Sequence, residues 1–531
     1  MTIISIPFII FSAILVCLYF LLPQKYQWKI LLVFSFLFYL LAGWKGLAFV
    51  LVTIITQYML AIRLDSQNTA FEEEATEKAL KGKEKAELKK KYVTVKRRYV
   101  LISVLINIGI LCVVKYTNFV IDNVNTIFDH MNVVKISHVD MIVPLGISFY
   151  TFQSLGYVID VYRGKVKAER NIFKFALFVS FFPCIIQGPI ERYGELAEQL
   201  LAEHEYDYKR VMFGIQRMLW GYIKKLVIAD RVAVIVNEVF SNYLDKEYSG
   251  FIVFIAALLY GIQIYADFSG GMDIVCGLSE ILGISLTENF KQPYLAKSVA
   301  EFWQRWHITL GAWMRNYLFY PISLSASFNK LGKQCKKIFG EKAGRVIPTS
   351  LASFIVFFIV GVWHGANWKY IVYGIYNAYF VSTGTLLEDV YEKLRKKFHI
   401  DVTRNSWKLF QMLRTLMIVT FGRYLSRGDS LSHAWNLLKA TFREFNPWVL
   451  FDGTLYKLGL SEENFRFMLL TIIGLIMVDW MKEKGMRIRE VIAQQNIVLR
   501  WMIYYAAFFG LIIFGMYGLG YNAASFIYQQ F

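Results

Sequence analysis

The chain has 531 residues, of which 56% are hydrophobic and 18% are charged, and its formal net charge is +18. Soluble globular proteins keep roughly a quarter of their residues charged, so this composition argues against a series of soluble domains. In a membrane protein a basic surplus is typical of cytoplasmic loops, and we therefore discard nucleic-acid binding. We predict a single all-α integral membrane domain over residues 1–531.

Apolar runs close to the ~20 residues needed to cross a bilayer recur along the chain. The candidate membrane segments are, in chain order, 3–22, 30–43, 46–62, 99–121, 141–160, 171–190, 211–228, 250–284, 299–322, 347–363, 369–387, 407–425, 466–480 and 499–518. Two of them, 171–190 and 299–322, contain helix-breaking or charged residues, which survive at membrane depth only within protein or a water-filled cavity. We expect these two to be re-entrant and predict about eleven true spans.

The segment from Arg63 to Arg98 carries eleven basic and seven acidic residues and almost no apolar periodicity. The positive-inside rule places it in the cytoplasm. We predict a charged cytoplasmic loop at 63–98, solvated rather than a binding arm, with helix in part of it. The mildly acidic stretch from Asp122 to Asp140 is expected on the outer side of the membrane. When the spans are arranged to satisfy both assignments, both termini lie outside.

The densest cluster of aromatic and polar residues runs from Asn289 to Tyr320. Drawn as one helix, its first face carries Trp303, Trp306, His307, Leu310, Trp313, Met314 and Tyr317, and its second carries Glu301, Arg305, Arg315 and Asn316. His307 is therefore expected within an aromatic stripe. A histidine in such a place can be structural or catalytic, and the residues alone leave both interpretations open.

A second histidine, His364, closes the strongly apolar segment from Ile347 to Trp363 and is followed by Gly365. Ionisable groups inside a membrane are costly and by default mark a functional site. An imidazole ordinarily titrates near neutral pH, which suits proton transfer. We therefore predict a catalytic role for His364.

Two carboxylates, Asp267 and Asp273, lie within the long apolar segment 250–284. A buried carboxylate needs a cationic partner or must stay protonated. The partner candidates in the sequence are Arg305, Arg315 and Lys291, and structural pairing is as plausible as catalysis. The sequence contains no P-loop, GxGxxG, GxSxG or HExxH motif and no metal-ligand spacing, so no metal is predicted.

These motifs together resemble the membrane-bound O-acyltransferase superfamily, and within it the alginate O-acetyltransferase-like branch. The resemblance begins with FWxRWH at Phe302–His307, with NFxxPY before it and the WHG at Trp363–Gly365 about 57 residues beyond His307. Supporting pieces within residues 100–531 are Val143–Gln153, Gln187–Tyr193, Asp267–Gly270 and Phe526–Phe531.

The chain also departs from the branch. Gly271 stands where a tyrosine is common, Gln304 stands where an arginine is common, and Ser323–Asn329 replaces a GGNR-like loop. These departures leave the reaction type intact, but they leave the acceptor and the partner protein open.

The resemblance implies a ring of membrane helices around a central pore, thinned by re-entrant segments, in a multi-pass protein of the cell (plasma or inner) membrane. It makes His364 catalytic and places His307 near the same channel. It also implies acetyl-CoA or another acyl thioester as a cytoplasmic donor substrate, with no bound cofactor. The implied partners are an extracellular polysaccharide, an exported or membrane-anchored SGNH-like acetyltransferase and, as a possible donor, an acyl carrier protein.

Acyl transfer from a thioester requires a base for the acceptor hydroxyl and a group that stabilises the oxyanion. We predict His364 as the base and His307 as the group that positions or polarises the thioester carbonyl. The predicted substrate-channel or donor-binding residues are Trp303, Arg305, Trp306, Trp313, Arg315, Asn316, Trp363 and Asp267. Two alternatives stay open. The first is D-alanyl transfer to teichoic acid from a carrier-protein thioester. The second is a non-enzymatic transporter or channel, since buried histidines and aspartates also line proton relays.

Overall fold

The structure is a computed structural model that describes residues 2–243, 246 and 248–517. Its regular structure is helical, and no β-strand occurs among those residues; Phe290 and Trp306 form an isolated antiparallel bridge. The C-terminal motif Phe526–Phe531 lies outside the described residues.

The chain forms a succession of α-helices of very unequal length. In chain order they are α1 (Ile6–Leu21), α2 (Gln27–Glu77), α3 (Gly82–Met131), α4 (Ile147–Tyr162), α5 (Ile172–Ser180), α6 (Phe182–Ile186), α7 (Tyr193–Leu201), α8 (Tyr208–Tyr222), α9 (Asp230–Asn242), α10 (Gly250–Ile281), α11 (Val299–Arg305), α12 (Ile308–Met314), α13 (Tyr320–Ser323), α14 (Ala326–Phe339), α15 (Glu341–His364), α16 (Trp368–Leu386), α17 (Glu388–Lys397), α18 (Asn405–Arg427), α19 (Leu431–Phe442), α20 (Glu462–Glu483), α21 (Ile488–Ala493) and α22 (Ile497–Phe514). Two π-helical segments, Ile223–Ala229 and Arg315–Phe319, follow α8 and α12.

Six helices of the described chain are long and apolar enough to cross a membrane, namely α2, α3, α10, α15, α20 and α22. Two shorter apolar helical stretches, Ile6–Leu21 and Ile172–Ile186, add to them. The all-α membrane architecture predicted from the sequence is confirmed. The count of eleven spans and the central pore stay predictions.

The segment 63–98 is helical over nearly its whole length, more than the part predicted, and its cytoplasmic position stays a prediction. Helix α2 continues through it to Glu77, and α3 begins at Gly82 after a short turn. The charged ends of the two helices pack together: the Tyr92 hydroxyl donates to Glu74 over 2.7 Å, and the Phe71 and Tyr92 rings lie 5.7 Å apart. Long polar side chains favour helix about as well as apolar ones do, so a lack of apolar periodicity did not end either helix.

A glycine separates the two predicted segments 30–43 and 46–62, which are arms of the single helix α2. Gly43 has φ +145° and ψ 108°, far from helical values. A Cβ at this position would meet nothing within 4 Å, so the backbone conformation rather than crowding favours glycine here.

The described residues divide into two compact units. Unit 1 comprises Met1–Ile215 and Val275–Thr287, and unit 2 comprises Gln216–Ile274 and Glu288–Phe531, each within the described part of the chain. In unit 1, segment 171–190 is interrupted, because α5 ends at Ser180 and α6 begins at Phe182, and its re-entrant course stays a prediction. Both candidate catalytic histidines belong to unit 2. The expectation of one continuous membrane domain stays a prediction.

Candidate active site

His307 lies in a tight turn between two short helices. Helix α11 ends at Arg305, α12 begins at Ile308, and His307 itself has φ +48°. The single helix predicted over this segment is therefore wrong. Left-handed backbone costs a non-glycine residue roughly 1–2 kcal/mol. The surrounding contacts must therefore hold this turn in place.

Asn289 supplies the main polar contacts of the turn. Its Oδ1 accepts hydrogen bonds from the Thr309 backbone N–H at 2.9 Å and from the Thr309 hydroxyl at 3.0 Å. The same oxygen lies 3.2 Å from Nδ1 of His307. The backbone is tied as well, because Ile308 N–H donates to the Asn289 carbonyl over 3.0 Å.

This arrangement determines the tautomer of His307. A backbone N–H can only donate, so the Asn289 atom facing Thr309 is the carbonyl oxygen and not the amide nitrogen. The Nδ1 of His307 therefore carries a proton and donates it to that oxygen. In the neutral ring Nε2 then bears the lone pair.

The His307 ring is buried, with only 3% of the residue exposed. The ring of Phe268 meets it edge-on at 5.0 Å, and the ring of Trp363 lies 6.4 Å away. The Trp363 ring lies 5.0 Å from that of His364 as well. Two histidines that are 57 positions apart in the sequence thus share one aromatic cluster.

His364 is the last residue of α15, and its surroundings are aromatic too. The ring centroid of Trp363 lies 5.0 Å away, that of Tyr373 6.2 Å and that of Tyr370 6.5 Å. Unlike His307, His364 is only half-buried. The cluster therefore contains one enclosed imidazole and one that is more accessible.

Close packing of α15 against α16 positions His364. A Cβ on Gly361 would lie 2.6 Å from the Tyr370 carbonyl and 2.7 Å from the Cα of Gly374. The two backbones can approach this closely only because both helices carry glycine at the crossing. Three residues beyond Gly361, α15 ends at His364.

The four predicted tryptophans occupy different places around the cluster. The indole of Trp303 donates to Asn377 Oδ1 over 3.2 Å and faces the Tyr373 ring at 6.4 Å. Trp306 is buried, and Trp363 lies between the two histidines. Trp313 is also buried, and its ring pairs with that of Tyr317 at 5.2 Å, so it packs one turn or more away from His307 along the chain.

The predicted polar residues of this segment are placed as follows. Arg305 is bound by carboxylates: its guanidinium lies 2.8 Å from Glu301 and forms a bidentate pair with Glu483 at 2.8 and 2.9 Å. Arg315 is exposed. The Asn316 amide donates to the Ala312 carbonyl over 2.8 Å, which links the π-helical segment to α12.

Asp267 lies in a buried ionic network whose cations differ from those suggested by the sequence. Lys225 is 2.7 Å from Asp267 and 2.8 Å from Asp230, and all three side chains are almost fully buried. Six residues beyond Asp267, Asp273 lies 2.7 Å from Lys224 and 2.9 Å from Arg217. The expected partners Arg305, Arg315 and Lys291 do not contribute these ion pairs.

Sequence reasoning missed Asn289 and Lys225. Asn289 opens the NFxxPY motif, but its role depends on a contact with a residue 18 positions further along the chain. Lys225 lies in a π-helical segment, where an extra residue per turn changes which side chains face inward. Among the described residues, no group of three or more His, Cys, Asp or Glu side chains could hold a metal ion.

Known proteins resemble this chain over most of its length. Residues 165–334 and 338–426 match the membrane-bound O-acyltransferase family. A protein named probable alginate O-acetylase AlgI from Azotobacter vinelandii is 32% identical over 447 residues, which are 83% of this chain and 78% of the relative.

More distant relatives carry other names. A peptidoglycan O-acetyltransferase from Helicobacter pylori is 29% identical over 65% of this chain and 64% of its own length. A teichoic acid D-alanyltransferase from Bacillus subtilis is 28% identical over 54% of this chain and 70% of its own length.

The apolar helices and the family match define a multi-pass membrane enzyme. The chain belongs to the membrane-bound O-acyltransferase family, and the reaction it catalyses is the transfer of an acyl group to oxygen. This membership does not support the alternative of a non-enzymatic transporter or channel.

Proposed function

We propose that this enzyme moves an acetyl group from a cytoplasmic thioester, acetyl-CoA, across the cell membrane toward hydroxyls of an extracellular polysaccharide. The immediate acceptor is either the polymer or an exported or membrane-anchored SGNH-like partner. The observation that carries the proposal is the cluster in which His307, fixed by Asn289, lies beside Trp363 and His364. The similarity to a relative named for alginate O-acetylation supports acetyl as the group transferred.

In the proposed reaction His364 is the base. It takes the proton of the acceptor hydroxyl while that oxygen attacks the thioester carbonyl. The carbon–sulfur bond of the tetrahedral intermediate then breaks, and the leaving thiolate receives the proton. The half-buried position of His364 suits a residue that must reach a substrate.

The tautomer of His307 refines its proposed role. With Nδ1 donating to Asn289, neutral His307 can accept a proton at Nε2 but cannot donate one there. Polarising the thioester carbonyl requires the imidazolium form. We therefore propose that the proton removed from the hydroxyl is shared between the two imidazoles, so that His307 becomes a donor as charge develops on the carbonyl oxygen.

The remaining predicted residues divide by their environment. Trp303, Trp306 and Trp363 are proposed to line the apolar passage for the pantetheine arm, since such sites are concave and mostly apolar. The exposed Arg315 is proposed to attract the phosphates of CoA or an acidic carrier protein. Arg305 is a weaker candidate for that role, because two carboxylates already bind its guanidinium.

A second candidate function is D-alanyl transfer to teichoic acid from a carrier-protein thioester. The 28% identity to a teichoic acid D-alanyltransferase supports it. The acetyl proposal is favoured because the alginate relative is more similar and aligns over a larger share of this chain.

The test supplies the purified enzyme in proteoliposomes with either labelled acetyl-CoA or labelled alanyl-carrier protein. We expect acyl transfer from acetyl-CoA, and we expect His364→Ala to abolish it while the protein still inserts and stays monodisperse. His433→Ala is the matched control, because His433 pairs with Asp429 instead of joining the aromatic cluster. Full activity of His364→Ala would overturn the assignment of the base, and transfer from the carrier protein alone would favour the second function.

A further inference from the structure

Arg423, on helix α18, is a buried cation that is not explained by an ion pair. The residue is only 3% exposed. Its guanidinium donates a hydrogen bond to the Tyr294 hydroxyl, and no carboxylate forms an ion pair with it within the described part of the chain. Its Nε and Nη2 atoms have no hydrogen-bond partner among the described residues. A buried cation without a counter-ion is costly, so its retention points to a specific role.

The guanidinium of Arg423 lies against two aromatic rings of the FWxRWH segment. Its central carbon is 5.1 Å from the centroid of Trp306 and 6.0 Å from that of Phe302. The two rings are themselves stacked, with centroids 5.6 Å apart and an interplanar angle of 18°. A cation over a tryptophan face is attracted by the ring quadrupole, and the attraction grows when water is excluded.

Trp306 is the residue immediately before His307, where the backbone enters its left-handed turn. Asn289 holds one side of this turn through hydrogen bonds to His307 and Thr309. The Trp306 ring is itself packed, with ring centroids 5.1 Å from Phe290 and 5.6 Å from Phe302. Fixing that ring restricts the backbone that leads into His307, because consecutive residues share one peptide plane.

We propose that Arg423 is a positioning residue for His307. It clamps Trp306 by a cation–π contact and thereby holds the unfavourable turn in which the His307 ring meets Asn289. The inference rests on the proposed acyl transfer for its kinetic consequences, but the geometry of the turn can be measured without any activity.

The chain contains a matched control in Arg231, on helix α9. Arg231 is 4% exposed and also has an Nε without a partner. It donates to the carbonyls of Val227 and Phe514 at 2.9 and 2.8 Å and lies 4.8 Å from the ring centroid of Phe467. It is thus an equally buried arginine over an aromatic ring, but that ring does not belong to the FWxRWH segment.

The first experiment compares Arg423→Met, Arg423→Lys and Arg231→Met in proteoliposomes with labelled acetyl-CoA, with rates expressed per monodisperse protein. For Arg423→Met we expect kcat to fall roughly 30-fold, the equivalent of about 2 kcal/mol at ~1.4 kcal/mol per factor of ten. The KM for acetyl-CoA should change less than about twofold, because His307 acts in the transition state. Arg423→Lys should recover part of kcat, since an ammonium group retains the charge over Trp306.

The second measurement treats the full-length enzyme with diethyl pyrocarbonate. Mass spectrometry of its peptides then gives the rate at which His307 is modified. Loosening the turn should make His307 react several times faster in Arg423→Met and leave it protected in Arg231→Met. Equal losses of kcat in the two methionine variants, or unchanged His307 reactivity in Arg423→Met, would overturn the inference. A wild-type enzyme inactive with both donors would contradict the proposed function instead, and His307 reactivity would still decide the role of Arg423.

Discussion

Substitution of Asn289 should disturb the geometry of the site strongly while both histidines stay in the sequence. Its Oδ1 accepts from three buried groups: the Thr309 N–H, the Thr309 hydroxyl and Nδ1 of His307. Leaving a buried donor unsatisfied costs about 1–3 kcal/mol. The variant Asn289→Ala should therefore lose about 3 kcal/mol or more of unfolding free energy.

The same substitution should affect catalysis beyond its effect on stability. Without an acceptor at Nδ1, either nitrogen of His307 can carry the proton and the ring can turn. Removing the partner that orients a functional histidine typically costs about 10–100-fold in activity, and we expect a kcat loss near the upper end. Labelled acetyl transfer in proteoliposomes measures kcat, and the monodisperse fraction after heating in detergent measures stability.

The control for this prediction is Thr309→Val, which removes one of the three donors and leaves His307 bound to Asn289. It should cost about 1 kcal/mol, the typical net value of one hydrogen bond, and change kcat less than about threefold. The assignment of the His307 tautomer would be refuted if Asn289→Ala kept its kcat, or if Thr309→Val lowered kcat as much as Asn289→Ala.

Two further predictions concern the supports of the site. Lys225→Met removes the cation beside Asp267 and Asp230, and breaking a buried ion pair in this way costs about 3–5 kcal/mol of unfolding free energy. The variant should therefore aggregate at a markedly lower temperature. An unchanged aggregation temperature would contradict an ionic role for Lys225. Gly361→Ala places a Cβ within 2.7 Å of backbone on α16, and it should lower kcat at least tenfold because it shifts the end of α15. The control is Gly384→Ala, which should leave the rate of acyl transfer unchanged because a Cβ there meets nothing within 4 Å. Equal effects of the two alanines would argue against close packing as the cause.

The sequence was sufficient to predict what depends on composition and on local motifs. The apolar runs predicted an all-α membrane protein, and the prolines and glycines of 171–190 predicted a broken segment. Both histidines could be chosen as site candidates from the sequence, because each lies in a motif with other aromatic residues. In the structure the Trp363 ring lies near the rings of both histidines.

What the sequence could not predict depends on distant contacts or on local exceptions to helical geometry. The positive φ of His307 breaks a segment whose periodicity suits one continuous helix. The ion pair of Asp267 with Lys225 depends on a π-helical segment, which has no distinct sequence signal. The charged segment 63–98 was predicted as a loop because charge indicates solvent exposure, and solvent exposure does not exclude helix.

The paired ends of α2 and α3 have a practical consequence for imaging. Helix α3 has 50 residues and at ~1.5 Å per residue is roughly 75 Å long, and the arm of α2 from Gly43 to Glu77 is roughly 50 Å long, both longer than the ~30 Å of a hydrocarbon core. Their charged ends pack together into a helical post, which we expect to extend beyond a detergent micelle. The exposed turn at 78–81 joins the two helices at the tip of the post, and such tips tolerate insertions well. A small rigid protein fused there through continuous helices would serve as a fiducial for aligning single particles, on a segment separate in sequence from both histidines.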